Sequence, residues 1–184
     1  MFEALRPVLA TLIALLVFVP DRGAAQRPPD LSGDWVLVSA TSSGGRLRGG
    51  AEVPTARGEQ RISANTVSGA PFNCGRQCTI IHKGRTLTVD RAYLASNATP
   101  APTVMLQLDG RQRSVVDSFS PSREIPATAQ WAGDRLKITS STPTSLRGEL
   151  TFTQFVFVEA TQLVVVTSVN IDGDAPVTFK YKKK

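Results

Sequence analysis

From Cys78 to the C-terminus the chain is a succession of short apolar runs punctuated by tight-turn signals. Nothing else in the sequence constrains the fold as strongly. Cys78 to Ile81 and Thr86 to Ala92 flank His82-Lys83-Gly84-Arg85, and Thr103 to Leu108 and Gln112 to Phe119 flank Asp109-Gly110. Ala127 to Trp131 and Arg135 to Ser140 flank Ala132-Gly133-Asp134, while Gly148 to Val158 and Gln162 to Asn170 flank Glu159-Ala160-Thr161. Asp172-Gly173-Asp174 then turns the chain into a last run, Pro176 to Lys182. Each pair reads as a β-hairpin. Within the runs alternate residues share a face, as Leu87, Val89 and Arg91 do opposite Thr86, Thr88 and Asp90. With Trp35 to Val38 ahead of them, these make about ten strands and no long helix. The fold class expected is all-β: an antiparallel up-and-down β-barrel of about 8–10 strands, because closure removes the edges that an open sheet exposes. A two-sheet β-sandwich is the alternative.

Some stretches fit this series less well. Ser96 to Pro102 and Ser120 to Pro126 read as Pro-broken loops, and Thr142 to Arg147 as a connector. Thr41 to Gly69 is rich in Gly, Ser, Arg and Thr. A loop that long is either a flap over one end of the fold or hides a short element around Glu59 to Ala64. Phe155-Val156-Phe157-Val158 and Leu163-Val164-Val165-Val166 are apolar on both faces. Either something covers the outer face or the strand changes phase through a bulge near Gln154.

The first 25 residues do not belong to this pattern. Val8 to Val19 is an apolar run preceded by Arg6 and followed by Pro20, with Gly23, Ala24 and Ala25 as a cleavage site before Gln26. It is too short to span a bilayer comfortably, which takes about 20 apolar residues. Residues 1–25 therefore read as a signal peptide and 26–184 as a single domain. The expected location is the periplasm or the outside of a bacterial cell, with no stable membrane span after cleavage. The formal charge is +6. It sits in Lys180, Lys182, Lys183 and Lys184 and in Arg46, Arg48, Arg57 and Arg61, with neither recognition helix nor stacking aromatics, so no nucleic acid is expected as partner.

Leu31-Ser32-Gly33-Asp34-Trp35-Val36-Leu37 resembles the opening Gly-x-Trp strand of lipocalins and of fatty-acid-binding proteins. Ala129 to Leu136 and the closing Thr178-Phe179-Lys180-Tyr181-Lys182-Lys183 are similar to secreted bacterial lipocalin-like proteins, most of unassigned function. The resemblance implies a barrel closed by Gly33 and Trp35 as a plug, with the last strand alongside. Lipocalins often lay an arginine from near the last strand across this tryptophan. Here no arginine follows Arg147, so Lys180 or Lys182 takes that place, or nothing does. Fatty-acid-binding proteins carry a helix pair between their first strands and interior arginines. Thr41 to Gly69 does not read as helical, and Arg91 reads as a surface residue at a strand end, so no fatty-acid site is carried over.

Cys74-Gly75-Arg76-Gln77-Cys78 is the sharpest local feature. In an exported chain two cysteines this close read as a disulfide. Residues four apart in a straight strand lie about 13 Å apart, whereas a disulfide holds its Cα atoms roughly 4.4 to 6.8 Å apart. The segment must therefore turn, with Gly75 as pivot. His82 completes a Cys-x3-Cys-x3-His array, so a metal site and a redox-active pair compete with the disulfide. Zinc sites want four ligands and a reactive thiol wants a helix N-terminus, and neither is evident, so no metal and no cofactor are expected. His82 is the only histidine and no Gly-x-Ser-x-Gly elbow exists, which argues against an enzyme. The turn residues Asp109, Asp134, Asp172 and Asp174 are explained by their backbone role. The expected function is binding of a small hydrophobic or amphipathic ligand inside the barrel. The alternative is a structural or envelope-associated barrel filled by Trp35, Leu136, Phe152, Phe155 and Phe157.

Overall fold

A computed structural model describes residues 28–42, 70–91, 102–117, 120–144, 148–170 and 175–184. The signal peptide expected over 1–25 and nearly all of the 41–69 segment lie outside the described residues. Ten strands follow one another: β1 (Gly33–Ser42), β2 (Gln77–Lys83), β3 (Thr86–Asp90), β4 (Val104–Gln107), β5 (Arg113–Asp117), β6 (Ser120–Ala132), β7 (Arg135–Thr144), β8 (Gly148–Glu159), β9 (Gln162–Val169) and β10 (Val177–Lys183). They form one antiparallel sheet in the order β4-β3-β2-β1-β10-β9-β8-β7-β6-β5. Strands adjacent in sequence are adjacent in the sheet, except β4 and β5, and β1 and β10 join the two ends of the series. The two edges, β4 and β5, lie against each other, so the sheet curls into a nearly closed barrel. The Leu108 amide extends the β3–β4 pairing by donating to the Arg85 carbonyl at 2.8 Å, and in the turn from β4 to β5 the Gly110 amide donates to the Ala129 carbonyl on β6 at 3.0 Å. The barrel rather than the sandwich is what the chain adopts.

Alternation sets the inside from the outside. Leu87 and Val89 on β3, Val104 and Leu106 on β4, Leu136 and Ile138 on β7, and Val177, Phe179 and Tyr181 on β10 are buried. The intervening Thr79, Thr88, Asp90, Glu124, Lys137 and Thr153 turn outward and are polar. An outer-membrane barrel has the reverse polarity, apolar outside and polar inside. Among the described residues, no helix is long and apolar enough to cross a membrane.

Three sequence expectations are corrected. Ser120 to Pro126 is no break, since it forms the first half of β6, with Pro126 opposite Ser114 on β5. Thr142 to Thr144 likewise belongs to β7, opposite Gly148 to Leu150. Along β8 the pairing with both neighbours runs through Gln154 without a shift, so there is no bulge there. Phe152 and Val156 are in the core, whereas Phe155 and Phe157 are half-buried on the opposite face. The Arg135 guanidinium lies 4.4 Å from the Phe157 ring centre and covers it. Register shifts occur instead in β1, between Leu37 and Ser39, where the strand must curve between β2 and β10, and in β5, between Val116 and Asp117.

Candidate functional site

β1 opens on Gly33, at φ +145°, and passes Trp35 into the core at 1% exposure. The Trp35 indole N–H donates to the Leu31 carbonyl at 3.0 Å, so the residues ahead of β1 fold back against the ring. The cation over the ring is Lys183, with Nζ 5.4 Å from the ring centre, and neither Lys180 nor Lys182. Strand parity decides this: Val177, Phe179 and Tyr181 face the core, so Lys183 shares the Trp35 side of β10 and the other two lysines do not. Gly33 leaves the space that this lysine needs, because a Cβ there would sit 3.1 Å from Lys183 Cε. His82 lies at this end too, its ring 5.8 Å from Trp131, with its backbone amide bonded to Ser32 Oγ at 3.0 Å.

Cys74 and Cys78 are joined by a disulfide, with Cα atoms 4.9 Å apart. Gly75 makes the turn at φ +57°, and its amide donates to Asn73 Oδ1 at 2.7 Å. With both sulfurs bonded to each other, neither thiolate is available to a metal alongside His82.

Ahead of the disulfide the chain runs through the barrel itself. Ala70, Phe72 and Cys74 are each no more than 1% exposed. Gln154 reaches in from β8 and pairs with the backbone of Phe72, accepting from its N–H at 3.0 Å and donating to its carbonyl at 2.8 Å. The same amide donates to Thr167 Oγ1 on β9 at 3.1 Å, so all its polar atoms are used. Between Phe72, Val165, Phe179 and Tyr181 a cavity of about 10 Å³ remains, about the size of a single water.

The interior is nonetheless more polar than a sealed core requires. Arg91, Asp117, Ser140, Thr142, Gln154 and Thr167 are all buried. Arg91 is 5% exposed and not the surface residue its place at a strand end suggests. Burial lowers its pKa, while Tyr181 and Asp117 act in the opposite direction; a guanidinium keeps its proton regardless. Tyr181 is pushed well above the ordinary phenol value by burial, with Arg91 pulling it back, so it stays a neutral hydrogen-bonding group. Arg123 Nε lies 4.0 Å from the Asp117 carboxylate. Thr142 Oγ1 is buried with no hydrogen-bond partner among the described residues. A larger cleft, about 260 Å³, opens between Asp34, Gln77, Thr79, Asp90 and Lys184 and reaches the buried Trp35, Cys78 and Arg91. Its rim side chains face outward, and the Asp34 carboxylate already accepts from Thr79 Oγ1 at 2.6 Å.

Gly33, Trp35, Cys74 and Cys78 stand out from the sequence alone. Phe72, Asp117, Thr142 and Tyr181 do not; alternation puts Arg91 on the face of Leu87 and Val89, but its charge and strand-end place point to the surface, and Gln154 reads as a bulge position. The one local signal was Pro71-Phe72, an apolar pair beside a cysteine after a long polar stretch.

No protein-family model and no curated protein sequence matches the chain. Solved structures do. The zebrafish ileal bile acid-binding protein complexed with cholic acid is 17% identical, with a TM-score of 0.51 over 83% of this chain and 98% of that one. A single-residue mutant of the fluorescent protein UnaG is 16% identical, with a TM-score of 0.51 over 83% of this chain and 95% of that one. The fold is that of the lipocalin and fatty-acid-binding barrels. At such low identity the likeness concerns the fold alone.

Proposed function

We propose that this chain is an exported binding protein, not an enzyme, which holds a small hydrophobic or amphipathic ligand inside its barrel. The observation that carries the reading is the buried cluster of Arg91, Asp117 and Tyr181, with Gln154 lining the same small cavity as Tyr181, inside a largely apolar barrel. Ligand sites are built this way, with apolar lining for affinity and a few polar groups for orientation. Arg91 and Tyr181 would meet the polar or acidic end of the ligand. Trp35, with Gly33 and Lys183, would close the barrel as a plug at the end where the chain enters β1. The Cys74–Cys78 disulfide supports an oxidising compartment, hence the periplasm or the exterior. A second reading, a structural barrel with a filled core, is favoured by Phe72, which already occupies part of the interior.

Titration with 8-anilinonaphthalene-1-sulfonate, an apolar anion that fluoresces when desolvated, separates the two readings. A carrier gives saturable binding at one site, weakened about tenfold in Arg91→Leu, which removes a charge-assisted hydrogen bond. A filled barrel gives no saturable signal. Native mass spectrometry of protein purified without refolding shows in parallel whether a molecule is retained.

A further inference from the structure

Phe72 occupies space that a ligand would need, and how it is held suggests a reason. We propose that the Ala70–Cys74 segment is a displaceable internal strap, which fills the barrel at rest and gives way when ligand enters. This rests on the reading of the barrel as a ligand carrier and adds the competition that regulates it.

The strap is held as a ligand is held. Gln154 grips the Phe72 backbone through one N–H and one carbonyl, while the ring packs into the core beside Val165, Phe179 and Tyr181. A permanent element of the sheet would pair along a ladder, but residues 70–74 belong to no strand. The end towards β2 is anchored. Gly75 lies inside the ring that the Cys74–Cys78 disulfide closes, and its amide is bonded to Asn73 Oδ1 at 2.7 Å. Displacement therefore falls on the residues ahead of Cys74, and the disulfide keeps the displaced strap tethered to the first residues of β2.

Competition of this kind lowers apparent affinity by the fraction of molecules in which the site is open. Wild type and Phe72→Gly are therefore titrated with 8-anilinonaphthalene-1-sulfonate and with dodecanoate, each variant first checked for its β-sheet circular dichroism. The expected result is binding about tenfold or more tighter in Phe72→Gly, whether or not wild type binds measurably. Equal affinity in the two proteins overturns the strap and leaves the carrier reading standing. Binding of neither probe by either folded protein overturns both. Should Phe72→Gly not fold, hydrogen exchange in wild type decides. Saturating probe should strip the Phe72 amide of its protection while the β8–β9 ladder keeps its own. Unchanged protection of Phe72, at saturation or because no probe binds, overturns the strap.

Discussion

Tyr181 shows what a single buried group does to the whole. Burial raises its phenol above the ordinary value. A group whose folded pKa is raised contributes stability that is complete below the unfolded value, about pH 10, and is lost as pH climbs from there towards the folded value. Wild type should therefore lose about 1 kcal/mol more than Tyr181→Phe between pH 10 and 11, read from urea unfolding at each pH. Parallel curves would place the phenol in water. Gly33 makes a different demand. Its φ of +145° strains any side chain, so Gly33→Ala should cost about 1–3 kcal/mol in the same assay. At this scale legibility followed parity. Lys183 rather than Lys182 covers Trp35 because alternation continues one residue past Lys182, and Arg91 is inside because it keeps the face of Leu87 and Val89 despite its charge. Gln154 was not readable at all, for its partner is 82 residues away.

Among the elements, the hairpins were the most legible, since a turn is made by adjacent residues and needs no knowledge of the rest. The β8–β9 turn also shows a local conflict. Ala160 takes φ 55°, a left-handed conformation that penalises a Cβ. Ala160→Gly should therefore raise stability by about 1 kcal/mol, or about 2–4 °C in melting temperature for a domain this size; no rise would mean the turn relaxes at no cost. Prolines misled the reading of β6, because Pro126 sits within a strand beside the short β5. The disulfide closes a very short loop, so its chain-entropy contribution is about 2 kcal/mol. Cys74→Ser with Cys78→Ser should lose that much in urea unfolding without changing the far-ultraviolet spectrum. Collapse of the sheet would instead make the bond the organiser of the fold, not a clip on the strap and the start of β2.

For the whole molecule, closure was foreseeable and contents were not. Ten short antiparallel strands have few ways to protect their edges, and the chain brings β4 against β5 to do so. What fills the resulting space depends on contacts between residues far apart in sequence: Phe72 with Gln154, and Arg91 with Tyr181 and Asp117. No periodicity in the chain encodes such pairs. Everything proposed for this barrel requires that its interior, and not the outer cleft between Asp34 and Asp90, receives the ligand. Backbone amide chemical shifts followed during titration with 8-anilinonaphthalene-1-sulfonate distinguish the two places. An interior ligand gives its largest changes at Phe72, Val89, Gln154, Thr167 and Phe179. Changes confined to Asp34, Gln77, Thr79 and Asp90 would put the ligand in the cleft and contradict the carrier reading.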